Sequence, residues 1–279
     1  MWFCYTPDGN PDLQPFREGQ GVAVQKGNRC FEGFAEVYRS GGYARFSERV
    51  TRVLPGFLAE HGLSANSVLD LACGEGTFLR GIATENNWAV GVDLSRRMLS
   101  LAQNAEAQGN SSPLYAAADM VSPPFVPGSF DLVTCWFDSL NYVTSEEDLR
   151  SVFEEVNRLL IPGGAFVFDM NTVFALSVLW QREGVSIQRN DSEVLEIQMP
   201  SFDFDTVTAK LEILVMVREG NGWRRIDETH LERGYTPQEV IGLLKGAGFD
   251  VRGFWEDLEY LTPLHDESPR MWFLTIVPE

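Results

Sequence analysis

The chain has 279 residues, 44% hydrophobic and 22% charged, with 25 Gly and 14 Pro; this ordinary globular composition excludes collagen, coiled coil and wholesale disorder. That length allows one large domain or two small ones, with a full apolar core. Acids outnumber bases by 40 to 22 and no segment is net basic, so the net charge of −18 disfavours nucleic acid and anionic membranes and favours a neutral or cationic small molecule.

Residues 1–30 are rich in Pro, Gly, Asn and Gln yet carry Trp2, Phe3, Tyr5 and Phe16. Disordered segments are poor in aromatics, so this arm is expected to fold over a ligand cleft. From Phe31 to Gly62 apolar residues recur at helical spacing, and Gly41-Gly42 divides the stretch into two helices. Apolar runs at 67–71, 88–92, 114–118 and 130–137 then alternate with helical stretches at 78–85, from Met98 to near Gly109, and at about 146–160. Pro162-Gly163-Gly164 reads as a turn into a run at 165–170. This alternation predicts βαβ units, a parallel sheet and helices on both of its faces.

From Val185 to Tyr235 the pattern changes to alternating strands at 186–190, 194–199, 206–217 and 223–235, with Asn221-Gly222 as a hairpin signal. An antiparallel sheet is expected there. Thr236-Pro237-Gln238-Glu239 restarts a helix through a capping box, ended by Gly246 or Gly248, and runs at 249–255 and 271–277 follow. The expected organisation is therefore an arm at 1–30, a ligand-binding core at 31–184, an inserted sheet at 185–235 and the rest of the core at 236–279.

Cys4, Cys30, Cys73 and Cys135 show no C-x-x-C spacing, and His61, His230 and His265 are equally scattered. Neither a disulfide framework nor a metal site is expected. With no signal-peptide pattern and no run near the roughly 20 apolar residues of a membrane span, a cytoplasmic protein with reduced thiols is expected.

Val68 to Thr77 reads as a strand, a glycine-rich turn and a helix start. Gly74 and Gly76 let the backbone approach a ligand closely. A Walker loop needs a Gly-Lys-Ser/Thr ending, which is absent. A dinucleotide fingerprint needs glycine where Leu79 stands, and Glu75 would repel a pyrophosphate. An acid beside the loop suits a ligand with cationic character. Asp93, ending the second run, is placed to accept hydrogen bonds from ribose hydroxyls.

Leu69-Asp70-Leu71-Ala72-Cys73-Gly74-Glu75-Gly76, Gly91-Val92-Asp93-Leu94-Ser95 with Met98-Leu99, Asp119-Met120, Phe130-Asp131-Leu132-Val133 and Leu160-Ile161-Pro162-Gly163-Gly164 follow one another in an order that resembles class I S-adenosylmethionine-dependent methyltransferases. Ala35-x-x-Tyr38 with Tyr43, Asp227-Glu228-Thr229-His230 with Tyr235, and Ala247-Gly248-Phe249 resemble the small-molecule members, above all the amino-sugar N,N-dimethyltransferases. The resemblance implies a Rossmann-like α/β fold: a seven-stranded, mostly parallel sheet with helices on both faces, and an inserted antiparallel sheet as a lid.

It also implies S-adenosylmethionine as cofactor. Ala72, Cys73, Gly74 and Gly76 would form its loop, with Asp70 orienting the loop amides. Asp93 would hold the ribose, Leu94, Met98, Asp119 and Met120 the adenine, Tyr38 and Tyr43 the methionine end, and Trp136 a wall. Asp138, Asn141 and Tyr142 would face the methyl-transfer point, with His230 facing the acceptor from the lid; Asp138, His230 and Tyr142 are the catalytic candidates. Trp136 serves equally as core, Tyr38 and Tyr43 as helix-packing rings, and His230 as a structural histidine. The expected activity is methylation of a small molecule at nitrogen, by a monomer or homodimer. Methylation at oxygen and a non-catalytic binding role are the alternatives.

Overall fold

The computed structural model describes residues 30–105 and 112–279. The arm and the helix stop near Gly109 lie outside the described residues. Two helices, α1 (Ala35–Tyr38) and α2 (Ala44–Glu60), precede β1 (Ser67–Leu71), α3 (Thr77–Ile82), β2 (Trp88–Asp93), α4 (Arg96–Asn104), β3 (Leu114–Ala117) and β4 (Phe130–Cys135). A 3₁₀ turn at Ser139–Tyr142 leads to α5 (Glu146–Leu159), β5 (Leu160–Asn171) and α6 (Trp180–Glu183). Then come β6 (Ser186–Asn190), β7 (Val194–Asp203), β8 (Thr208–Glu219), β9 (Gly222–Arg233), α7 (Pro237–Gly246), β10 (Asp250–Trp255) and β11 (Arg270–Ile276).

The larger sheet has seven strands in the order β10-β11-β5-β4-β1-β2-β3. The pairs among β3, β2, β1, β4 and β5 are parallel, and β11 is antiparallel to both β5 and β10. Helices cover both faces, as expected. Alternation along β5 shows why: Phe166 and Phe168 pack with Phe153 of α5 and Val240 of α7, while Ala165 and Val167 pack with Leu54 and Phe57 of α2. A strand buried on both sides reads as a continuous apolar run.

The smaller sheet is antiparallel, in the order β6-β7-β8-β9. Ile213, Val215 and Ile226 of this sheet pack on Phe34, Val37 and Met98, joining it to the larger one. Thr236 caps α7 through the expected box with Glu239.

Four local features differ from the expectation. Glu219 pairs with Gly222, so the hairpin loop is Gly220-Asn221 rather than Asn221-Gly222, with Gly220 at φ +58°. Pro162-Gly163-Gly164 lies within β5, where Gly163 N–H donates to Val277 O at 2.9 Å. Residues 175–183, to which the expected series assigned no element, form a π-helical turn (Ala175–Leu179) running into α6. β4 ends at Cys135 because Phe137 and Asp138 turn to left-handed φ of +56° and +54°. No described helix is long and apolar enough to cross a membrane.

Candidate active site

The carboxyl ends of β1, β2 and β4 open onto a cavity of about 820 Å³. Ala72 and Gly74 turn the loop after β1 with φ of +53° and +55°. A Cβ on Gly74 would sit 3.3 Å from Met98 Cε, so glycine keeps this stretch open. Asp93 fixes the loop from the next strand, accepting the backbone N–H of Gly74 and of Ser95 at 2.8 Å each. Burial raises the Asp93 carboxyl above its ordinary range. Asp70, 2% exposed, accepts the Thr134 hydroxyl at 2.7 Å, and burial pushes its carboxyl up to about 8. Trp136 forms part of the wall, and its buried Nε1 has no hydrogen-bond partner among the described residues.

A second cavity, of about 440 Å³, lies between the larger sheet and the antiparallel one. Phe31, Tyr38, Phe137 and Tyr142 line both cavities and mark where they meet. Strand β9 divides them: Thr229 and Leu231 border the first, His230 and Glu232 the second.

Hydrogen bonds and ion pairs order the second chamber. The backbone N–H groups of Phe137 and Asp138 donate to Asp169 at 2.7 and 3.1 Å. Left-handed residues other than glycine cost roughly 1–2 kcal/mol each, and this carboxylate holds the pair in place. Arg270, from β11, bridges Asp169 and Asp138, with its Nη2 2.8 Å from Asp138. Burial raises the Asp169 carboxyl to about 6, with Arg270 opposing. Tyr142 Oη lies 2.9 Å from His230 Nδ1, and His230 Nε2 lies 3.3 Å from Glu228 Oε2 without a satisfied hydrogen bond. Against the pull of burial, His230 and the amides of Phe34 and Phe31 hold Glu228 below the ordinary carboxylate range.

Tyr38, Asp70, Ala72, Cys73, Gly74, Asp93, Leu94, Met98, Asp119, Met120 and Trp136 all line the first cavity. Two residues expected there do not. Gly76 lies behind the loop, where a Cβ would stand 2.4 Å from the Tyr115 hydroxyl, so it is needed for packing. Tyr43 stacks on Tyr38 but lines the second chamber, its hydroxyl donating to Glu196.

Asp138, His230 and Tyr142 come together in the second chamber, but the Asp138 carboxylate is committed to Arg270. Asn141 lines neither cavity. Its amide donates to Asn171 O and Arg233 O, and its Oδ1 accepts Asn171 N–H, which makes it a structural tie. Arg270 and Phe31 were not singled out from sequence as site residues, and Glu232 is read there only as alternating with His230 on one strand. Only the two-residue spacing of Glu232 from His230 signals that they share a strand face.

The methyltransferase domain family matches residues 68–164. The chain is 30% identical over 244 residues to the putative methyltransferase YqeM of Bacillus subtilis, covering 87% of this chain and 95% of the relative. The chain belongs to the S-adenosylmethionine-dependent methyltransferases. A solved methyltransferase of this kind from Clostridium acetobutylicum shares 27% identity with it at a TM-score of 0.78, covering 90% of this chain and 100% of that one. The methyltransferase is also similar to relatives that differ in the atom they act on. A dTDP-4-amino-2,3,4,6-tetradeoxy-D-glucose N,N-dimethyltransferase of Saccharopolyspora spinosa is 26% identical, covering 66% of this chain and 71% of the relative. A malonyl-[acyl-carrier protein] O-methyltransferase of Erwinia pyrifoliae is 32% identical, covering 62% and 60%.

Proposed function

We propose that this methyltransferase methylates the nitrogen of a small amine held in the second chamber. The observation that carries this reading is the junction of the two cavities at Phe31, Tyr38, Phe137 and Tyr142, with Asp138 and Glu232 on the acceptor side. Residues 31–184 and 236–279 then form the cofactor-binding core, and 185–235 the sheet that covers the acceptor.

The first cavity suits S-adenosylmethionine by its own chemistry. Asp93 would take the ribose hydroxyls, Leu94, Met98, Asp119 and Met120 the adenine, and the 72–76 loop the methionine end beside Tyr38, with Trp136 Nε1 a buried donor still to be satisfied. When bound, the cofactor supplies an electrophilic methyl group on a sulfonium.

The chain itself must hold the acceptor nitrogen roughly 3–3.5 Å from that methyl, in line with the breaking bond. An ammonium must first lose a proton. Tyr142 Oη takes that proton as its own hydrogen passes to His230 Nδ1, and the imidazolium so formed stands beside the Glu228 carboxylate. Burial holds the Tyr142 hydroxyl well above its ordinary pKa, so it relays the proton rather than resting as a phenolate.

Incubation with isotopically labelled cofactor and a metabolite extract, followed by mass spectrometry of the product, tests the reading. A labelled methyl on nitrogen is expected. A labelled ether or ester would favour the second reading, methylation at oxygen, which the Erwinia pyrifoliae relative supports. Cofactor binding without any small-molecule product would favour a non-catalytic role.

A further inference from the structure

The second chamber contains an unbalanced buried charge. Asp138, Asp169 and Glu232 are 8%, 0% and 2% exposed, and Arg270 is the cation that faces them. Burial and the adjoining Asp138 carboxylate push the Glu232 carboxyl well above its ordinary range, and Asn171 Nδ2 donates to it at 2.9 Å. Asp138 and Asp169 both pair with Arg270, and Glu232 forms no ion pair among the described residues, so three carboxyl groups face one guanidinium. A net negative charge in a dry site is costly until a cation neutralises it.

The rest of the lining also suits a cation. Phe34, Tyr43, Phe137, Tyr142 and Trp180 present aromatic rings to the chamber, and ring faces attract ammonium groups. His230, 2% exposed, lines the chamber as well, with its Nδ1 on Tyr142 and its Nε2 3.3 Å from Glu228.

The guanidinium lining the neighbouring space is already paired. A cavity of about 520 Å³ adjoins the chamber at Tyr43, Phe137 and Gln188. Arg189 is the guanidinium in its lining, bound to Asp191 at 2.5 Å and to the Ser40 hydroxyl at 2.8 Å. The buried Glu196 adds a further acid there. Arg45 stands beside Gly42 at the rim but lines neither space. Among the residues lining the two spaces, a phosphate or carboxylate on the acceptor would meet acids, and guanidinium groups already bound to acids.

We infer that the acceptor is a free amine, carrying no phosphate or carboxylate, which enters as its ammonium ion and docks on the Asp138–Glu232 pair. This rests on the nitrogen reading and narrows it. Glu232 becomes a specificity-determining residue, and the acceptor differs in charge from the nucleotide-linked amino sugar named for the Saccharopolyspora spinosa relative.

The test separates this inference from the reading beneath it. A small-molecule extract is divided by ion exchange into cationic, neutral and anionic pools, and each is incubated with the full-length enzyme and methyl-labelled cofactor. Label on an amine of the cationic pool is the expected result. Label on an amine of the anionic pool would overturn the inference and leave nitrogen methylation standing. Label on oxygen, or on no small molecule, would overturn both.

With the amine so identified, Glu232→Gln should raise KM at least tenfold and leave the dissociation constant of S-adenosylhomocysteine unchanged. Glu232→Asp, which keeps the charge, should restore part of that loss and guards against a folding defect in the glutamine variant. An unchanged KM in a folded Glu232→Gln enzyme would overturn the role of the pair.

Discussion

Oε1 of Glu228 accepts the backbone N–H of Gly33 at 2.6 Å, tying β9 to the turn before α1. The same carboxylate takes the N–H groups of Phe31 and Phe34 at 2.8 Å each. Since Phe31 stands where the two cavities meet, this tie also builds a wall between them.

Glu228→Gln leaves one carbonyl oxygen for three donors. Hydrogen bonds to charged groups contribute roughly 1.5–3 kcal/mol each, so a lowered melting temperature and faster amide exchange at 31–34 are expected. The folded Glu228 carboxyl lies below its unfolded value, so its stabilisation is present above about pH 4 and lost as pH falls through the folded value. The melting gap between wild type and variant should therefore narrow in acid. A gap constant with pH would show that the charge is not what holds the turn.

Asp70 has the opposite sign. Burial raises its carboxyl to about 8, so its contribution is greatest below about pH 4 and is lost as pH rises through the folded value. Asparagine can still accept the Thr134 hydroxyl. Cofactor-free Asp70→Asn should melt higher than wild type at pH 9, with the advantage shrinking towards pH 4. Thermal scans across that range decide it.

The fold was legible where its signals are local. The apolar run of β1, the glycine turn after it and the Thr236–Glu239 capping box each lie within a few residues, and each formed as read. The second chamber was legible only in part: Asp138, Tyr142 and His230 were singled out, but the charge that pairs with Asp138 comes from far away. Asp138 meets Arg270 across 132 positions only because β11 lies antiparallel to β5 and sets Arg270 opposite Asn171, two residues from Asp169. The packing at Gly76 was hidden for the same reason: Tyr115, which requires it to be glycine, arrives from β3.

Asp93→Ala should weaken S-adenosylhomocysteine binding by about ten- to several-hundred-fold, the equivalent of one or two lost hydrogen bonds to a carboxylate. It also frees the Gly74 and Ser95 amides, so the loop loses its anchor. Calorimetry reads the affinity. An unchanged dissociation constant would mean that the ribose lies elsewhere.

Tyr142→Phe removes the hydroxyl between the chamber and His230 Nδ1 while keeping the ring. Positioned proton transfer contributes about 10²–10⁴-fold, so kcat should fall by roughly 10²-fold with cofactor affinity retained. Single-turnover kinetics measures this. A full rate would exclude the relay.

The β8–β9 hairpin works as an index for the whole enzyme. Its ladder runs unbroken from Thr208 opposite Arg233 to Glu219 opposite Gly222, and a slip of one residue in a strand turns every side chain to the other face. In β9 that slip would exchange His230 and Glu232 for Thr229 and Leu231, moving the second chamber's polar groups to the first cavity. Insertions or deletions of one residue here should abolish activity, however conservative the inserted residue. Substitutions at alternate positions are a different matter. They offer a way to retune acceptor choice without touching the cofactor, because the phase of the strand keeps the two sets apart.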